Sequence, residues 1–158
     1  MRTTLLTAAA LVLATAGTAA AQTGTQDVGY EVQAINQIAL TGSPSLAITA
    51  ATAGSAPTTV TANATYAITT NETSRKITAQ IESDMPSGVT LSVTLAAPTG
   101  ATSAGAVTLG STAQDVVTGI STLNESGLSV TYTLSATAAA GVVPAGTRTV
   151  TYTITAGA

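Results

Sequence analysis

Four carboxylates near predicted turns are the side chains with the best prospects for acid–base or metal chemistry: Glu82, Asp84, Asp115 and Glu125. Glu82 and Asp84 are two residues apart at the end of a predicted strand, and in an extended chain this spacing places both on one side. Asp115 and Glu125 belong to later loops that could approach them. Paired carboxylates serve glycosidases, and carboxylate oxygens bind calcium. The simplest interpretation is that all four are solvated turn residues.

Most other enzyme chemistry needs residue types that the chain lacks. It has no histidine and no cysteine, so the usual proton shuttles, thiolate nucleophiles and soft metal ligands are missing. Lys76 is the one candidate base for a serine nucleophile, but neither S-x-x-K nor G-x-S-x-G occurs. The D-x-[DN]-x-[DN]-G calcium loop is also absent. The sequence therefore predicts a protein that is not an enzyme and holds no cofactor.

Composition argues against nucleic-acid binding and for an all-β protein. The formal net charge is −3 and only 7% of the residues are charged, against about 25% in ordinary soluble domains. Neutralising phosphates requires a basic face, which this chain does not have. Threonine makes up about a fifth of the residues, and this β-branched residue favours strands. We expect neutral, hydroxyl-rich surfaces that suit contact with other surfaces outside the cell.

Residues 1–21 have the layout of a secretory signal peptide. Arg2 precedes an apolar run that includes Leu5 and Leu6, and small residues at Ala19 and Ala21 precede Gln22. This order predicts cleavage after Ala21. The run is too short for a membrane span, so we expect a mature chain without a transmembrane segment. Residues 22–158 are predicted to form a single domain.

Apolar and polar residues alternate along most of that domain, as they do in half-buried strands. The alternating segments are residues 28–40, as one long strand or two collinear pieces, and residues 46–50, 60–68, 77–81, 89–95, 107–109, 115–120, 128–136 and 147–156. In residues 115–120 the apolar side chains of Val116, Val117 and Ile120 could also lie on one helical turn, although a strand is the preferred interpretation. Residues 124–127 are predicted to be a turn. Eight or nine short strands at roughly ten-residue spacing predict an all-β fold, an antiparallel immunoglobulin-like β-sandwich.

Alternation also assigns the aromatic and hydroxyl side chains to faces. Tyr30, Tyr66, Tyr132 and Tyr152 share the parity of the aliphatic residues in their segments, so all four rings are predicted to face the core, with the hydroxyls at its rim. The opposite parity of the last two strands carries a candidate interaction face, a neutral array of threonines. Its members are Thr131, Thr133, Thr149, Thr151 and Thr153.

Asp27–Leu40, which contains the first alternating segment, is also a candidate strand donor. An extended segment can pair with an open sheet edge of another chain while its alternate side chains fill a groove. Val28, Tyr30, Val32 and Ile38 have the spacing for this role. The simpler interpretation is that they belong to the domain's own first strand.

Several stretches carry a family resemblance. The segments YAITTNETSRKITAQI, DMPSGVTLSV, VVTGISTLNESGLSVTYTLSATAAAG and PAGTRTVTYTIT together resemble a group of uncharacterised exported bacterial β-sandwich proteins. More loosely, AGTRTVTYTIT is similar to the terminal strand of fimbrial subunits and spore-coat-protein-U-like domains, which build surface fibres by lending a strand to a neighbour. Those domains have a cysteine pair that this chain lacks. The resemblance implies export and a β-sandwich, and it supplies no catalytic residue.

These observations favour a secreted or cell-surface structural protein, of surface-layer, fimbria-like or adhesin-like type, that acts by protein–protein association. Its expected partners are further copies of itself or other cell-surface proteins. The expected location is extracellular, at the cell surface or periplasmic. The alternative is a small β-sandwich module that binds a glycan or calcium.

Overall fold

The computed structural model describes residues 20–157. They belong to two compact units, and the described parts of these are residues 20–32 and residues 33–157. Residues 20–32, named the arm below, contain neither helix nor strand, and all their side chains are exposed. Residues 1–19 of the predicted signal peptide lie outside the described residues. No helix within residues 20–157 combines the length and hydropathy needed to cross a membrane.

Residues 33–157 form a β-sandwich of two antiparallel sheets, which confirms the predicted fold class. The five-stranded sheet contains, in spatial order, β1 (Asn36–Thr41), β2 (Val60–Thr70), β8 (Leu123–Ala136), β4 (Val89–Leu95) and β6 (Val107–Thr108). The four-stranded sheet contains β5 (Thr102–Ser103), β7 (Gln114–Ile120), β3 (Arg75–Ile81) and β9 (Val150–Ala156). A single 3₁₀ turn at Ala138–Ala140 is the only helical segment within residues 20–157.

The core forms between the sheets from the apolar parity of each central strand. Its fully or nearly fully buried members are Tyr66, Ile68, Ile77, Ala79, Ile81, Leu91, Val93, Leu95, Leu109, Val116, Val117, Ile120, Val130 and Tyr132. Burying a large side chain of this kind contributes about 1.5–3 kcal/mol. Because the chain has no cysteine, this burial and the backbone ladders must stabilise the fold without disulfides.

Strand β7 confirms the strand prediction for residues 115–120 and explains why they also fitted a helical turn. Val116 and Val117 are adjacent, yet both are fully buried. The register against β3 shifts between Ile77 and Thr78. Such a β-bulge sets two residues of one strand against one of its partner and interrupts strict alternation. Consecutive apolar residues therefore reflect a bulge here, not a helix.

The predicted turn at residues 124–127 is wrong, because β8 begins at Leu123 and continues through this stretch. Its register against β2 shifts between Tyr66 and Ile68, so that two residues of β8 oppose one of β2. Gly127 has φ 71° at this bulge, a conformation that glycine adopts without the steric cost of a Cβ. The polar, glycine-containing sequence thus marks a bulge inside a strand.

The first two predicted strands are largely wrong. Of residues 28–40, only 36–40 lie in a strand; they belong to β1 (Asn36–Thr41), which pairs with β2. Residues 46–50 contain no strand, and an isolated bridge between Ala51 and Pro57 closes the loop that follows. Residues 28–35 and 46–50 also alternate, but no neighbouring strand pairs with them, so they form no backbone ladder.

The last two predicted strands are confirmed as β8 and β9, but they lie in different sheets. β8 pairs with β2 and β4 at the centre of the five-stranded sheet. β9 begins at Val150 and pairs with β3 alone, at the edge of the four-stranded sheet. Their similar sequences therefore meet different environments.

Candidate functional site

The carboxylates near the turns have separate partners. Asp84 accepts a hydrogen bond from the Ser111 backbone N–H at 2.7 Å, and this bond lowers the pKa of its carboxyl group. The guanidinium of Arg148 donates to the backbone carbonyl of Asp84 at 3.3 Å, not to its carboxylate. Glu82 is exposed. Asp84 therefore joins the loop between β3 and β4 to the loop between β6 and β7, which is a structural role for its carboxylate.

Asp115 and Glu125 are likewise engaged elsewhere. Asp115 forms an ion pair with Lys76 at 3.0 Å, beside a recess of about 200 Å³. Glu125 accepts the Thr99 backbone N–H at 2.8 Å. Within residues 20–157 no three acidic, histidine or cysteine side chains are grouped so that they could hold a metal ion. Asp84, Asp115 and Glu125 thus each serve a separate contact in the fold.

Three of the four tyrosines have the predicted orientation. Tyr66 is 1% exposed and Tyr132 7% exposed. Tyr66 donates its hydroxyl to the Ala96 carbonyl at 2.5 Å, and the hydroxyl of Tyr152 in β9 donates to that of Tyr132 in β8 at 2.8 Å. The Tyr132–Tyr152 bond joins the two sheets. The prediction is wrong for Tyr30, which lies in the arm and is 96% exposed.

Burial of these hydroxyls makes the protein sensitive to alkaline pH. Desolvation, with a smaller contribution from the Glu125 charge, raises the pKa of Tyr66 from 10.0 to about 12. Desolvation also raises the pKa of Tyr132 and Tyr152. The unfolded chain loses these protons first, so the stabilisation is complete below about pH 10 and is lost as the pH rises towards about 12.

Urea unfolding from neutral pH to about pH 12 measures this effect. We expect the free energy of unfolding to fall above about pH 10, and Tyr66→Phe to make that fall shallower. The variant also loses the hydrogen bond to Ala96, which lowers its stability by about 0.5–1.5 kcal/mol at neutral pH. If the free energy of unfolding fell as steeply with pH in the variant as in the unmodified protein, Tyr66 would not be a group that causes the fall.

The structure divides the predicted threonine face between the two sheets. Thr131 and Thr133 lie on the outer side of the five-stranded sheet, where Thr131 faces Asn63 and Thr94 in the register and donates to Asn63 Oδ1 at 3.0 Å. Thr151 and Thr153 lie on the outer side of β9, and Thr149 just precedes that strand. The five threonines therefore form two neutral patches and not one array.

The sheet edges differ strongly in length. β5 and β6 are edge strands of two residues each, and short edges offer little backbone for pairing with another chain. The opposite edges are β1, with six residues, and β9, with seven. Proline, charge and bulges are the usual protections of an edge, and β9 contains none of them. β1 also lacks them, so β1 and β9 are the two long edges of the sandwich without such protection.

The predicted strand-donor residues separate into two groups. Val28, Tyr30 and Val32 lie in the arm with side chains 77%, 96% and 80% exposed. Ile38 instead belongs to β1, opposite Ile68 of β2, and packs against the core. Ile38 is thus a residue of the domain's own first strand, as the simpler interpretation held, whereas the side chains of the other three are largely exposed.

A cluster that sequence reasoning missed fixes the chain directly after the arm. Asn71 accepts the Ile35 backbone N–H at 2.7 Å through Oδ1 and donates to the Gln33 carbonyl at 2.8 Å through Nδ2. Next to it, Glu72 accepts from Asn36 and from Arg75. The Asn36 bond is the main cause of the lowered pKa of Glu72. Asparagine in a tight turn is a signal for such backbone mimicry, but its distant partner is not readable from sequence.

No protein-family model, curated protein or solved structure matches this chain. The resemblance to exported β-sandwich proteins therefore stays a prediction. Three features of the described residues bear on function: an exposed apolar arm, a long edge strand without proline, charge or bulge, and two neutral hydroxyl-rich faces.

Proposed function

We propose that this chain is an exported structural protein that acts by association with other protein surfaces, and not by catalysis. The observation that carries the proposal is the arm: three apolar side chains at alternate positions are 77–96% exposed. A soluble chain rarely keeps such a series in water unless it is an interaction site. The unprotected β9 edge and the dispersed carboxylates support the same conclusion.

The proposed mechanism is strand addition. An arm segment paired with a sheet edge directs Val28, Tyr30 and Val32 to one face, where they pack between the sheets of the acceptor. Their burial contributes about 1.5–3 kcal/mol each, and each new backbone hydrogen bond about 0.5–1.5 kcal/mol. Ordering and association cost about 4–15 kcal/mol. The gains and the cost are of similar size, so each contact is weak and becomes effective when many copies are concentrated at a surface.

The proposed setting is outside the cytoplasm, at the cell surface, in the medium or in the periplasm, in agreement with the predicted signal peptide. The partners are copies of the same chain or other cell-surface proteins, in an assembly of surface-layer, fimbria-like or adhesin-like type. Neutral threonine faces such as the one around Thr131 and Thr133 would let neighbouring molecules approach without charge repulsion.

Sedimentation and electron microscopy of the mature chain, residues 22–158, test this proposal. We expect concentration-dependent association that is lost on deletion of residues 22–32 and in the triple variant Val28→Asp, Tyr30→Asp, Val32→Asp. The deletion spares Gln33 and Ile35, so the contacts to Asn71 remain.

The matched control places three aspartates on the opposite parity of the same arm, as Thr23→Asp, Thr25→Asp and Gly29→Asp. These side chains are also exposed, and the control adds the same charge without removing an apolar group. It should associate better than the first triple variant. A chain that stays monomeric at high concentration, unaffected by deletion of the arm, would overturn the proposed function.

A further inference from the structure

We propose that the acceptor for the arm is the outer edge of β9 in a second copy of this chain. This inference rests on the proposed function and adds to it the partner and the binding site. It requires that the β9 edge be open, incompletely covered and complementary in charge to the arm.

The backbone of β9 is open along one side. Gly157 donates its N–H to the Ser74 carbonyl at 2.7 Å, in register with the β3–β9 ladder. In an antiparallel pair every second residue bonds to the neighbour and the residues between point away. Thr151, Thr153 and Thr155 therefore face β3. The peptide groups of Val150, Tyr152 and Ile154 point to the free edge, where an added strand would find donors and acceptors.

The side chains of the same three residues are incompletely covered. Val150, Tyr152 and Ile154 face the core but remain partly exposed. On the adjacent strand β3, Ile77, Ala79 and Ile81 are at most 1% exposed, because β3 has a neighbour on both sides. An apolar strand beside β9 would complete its burial in the same way. Val28, Tyr30 and Val32 recur at every second residue, as side chains on one face of a strand do, and they are exposed and so available for this burial.

Charge distinguishes β9 from the other long edge. The arm carries Asp27 and Glu31 and no cation. Arg148 precedes β9, and among the cations of residues 20–157 it is the one without a carboxylate partner. Its guanidinium donates hydrogen bonds to the carbonyl oxygens of Thr147 and Asp84. The β1 edge instead begins beside Glu72, whose carboxylate is already paired with Arg75, so that edge offers an acidic arm no comparable unpaired cation.

A second copy is the occupant because the arm does not cover its own apolar side chains: Val28, Tyr30 and Val32 are exposed in the folded chain. Each molecule then has one donor and one acceptor. A head-to-tail contact of this kind repeats without closing unless the rotation between copies forms a ring. The expected product is a linear fibre or a ring of identical subunits.

Complementation between two variants tests the inference on full mature chains. The donor-defective chain carries Val28→Asp, Tyr30→Asp and Val32→Asp. The acceptor-defective chain carries Arg148→Glu and Val150→Pro, since proline removes an edge N–H and is tolerated at the first residue of an edge strand. We expect each variant alone to associate at least about tenfold more weakly than the unmodified chain. An equimolar mixture should form dimers and nothing longer.

A cross-linking experiment is independent of how well the proline variant folds. The chain has no cysteine, so single cysteines report only the chosen pair. We expect chains with Gly29→Cys to form disulfide-linked heterodimers with chains carrying Thr151→Cys or Thr153→Cys, because these residues share the outer face of the proposed pairing. The control, Thr131→Cys, lies on a central strand of the other sheet and should not cross-link.

The outcomes separate the two proposals. If the unmodified chain does not associate, both the proposed function and this inference are overturned. If it associates but the acceptor-defective chain does so equally well, or Thr131→Cys cross-links as well as the β9 positions, the acceptor is elsewhere and only the inference is overturned. A chain that carries both Gly29→Cys and Thr151→Cys tests the remaining occupant: a disulfide formed within one chain would also overturn the inference, since the occupant would then be the chain's own arm.

Discussion

Val130→Asp is expected to leave the protein unfolded. Val130 is fully buried in β8, where it lies between Ala64 of β2 and Leu95 of β4. A carboxylate there would lose its hydration without a cation or donor to replace it, and protonation would still leave a polar group in an apolar site. Such substitutions cost more than about 4 kcal/mol, while a domain has in total about 5–15 kcal/mol.

Thr131→Asp is the matched control, since it introduces the same group one position along the same strand. Thr131 points to the outer face, and the substitution removes its hydrogen bond to Asn63 Oδ1, because a carboxylate has no hydrogen to donate. We expect a loss of no more than about 1.5 kcal/mol. Far-ultraviolet circular dichroism and urea unfolding of both variants provide the measurement. Equal destabilisation by the two would mean that the inward and outward parity of β8 is wrong.

Gly88→Ala is expected to destabilise the fold by about 2–4 kcal/mol through the sum of backbone strain and overpacking. Gly88 has φ 78°, and it ends the turn between β3 and β4. A Cβ at this position would lie 2.8 Å from the Thr137 hydroxyl and 2.9 Å from the Ala140 Cβ. The Thr137 backbone N–H also donates to the Gly88 carbonyl at 2.8 Å, so the loop after β8 cannot retreat without losing this bond.

Gly100→Ala separates the two contributions. Gly100 has φ 79°, close to that of Gly88, but a Cβ there would meet no atom within 4 Å. This control should show backbone strain alone, about 1–2 kcal/mol, part of which is offset by the lower entropy of the unfolded chain. Thermal or urea unfolding of both variants measures the difference. If the two glycine variants lost equal stability, the close approach of Thr137 and Ala140 to position 88 would add nothing to the cost of the new Cβ.

The predictions from sequence succeeded where one short segment contained the whole signal. The strands β3 and β4 alternate without interruption, and each occupies the predicted place. Tyr66 and Tyr132 followed their aliphatic neighbours into the core. In each case the period of two depends only on local backbone geometry, so it is legible without knowledge of the partner strand.

The errors arise where a distant segment decides the outcome. The bulge at Gly127 depends on the register against β2, and glycine in a polar stretch is equally typical of a turn. Asn71 hydrogen-bonds to Gln33 and Ile35, which lie 38 and 36 positions before it in the chain. Nothing in either segment alone specifies such a contact.

The amino-acid sequence by itself determined that this chain is a β-sandwich with neutral outer faces and no histidine or cysteine chemistry. Only the tertiary structure decided which segments acquire neighbours. Val28, Tyr30 and Val32 alternate as regularly as the residues of β9, yet β9 pairs with β3 and the arm residues stay 77–96% exposed. The physical reason is that alternation only places the apolar side chains of a segment on one face. Their burial also requires a strand from elsewhere in the chain, or from another molecule, to lie beside that segment.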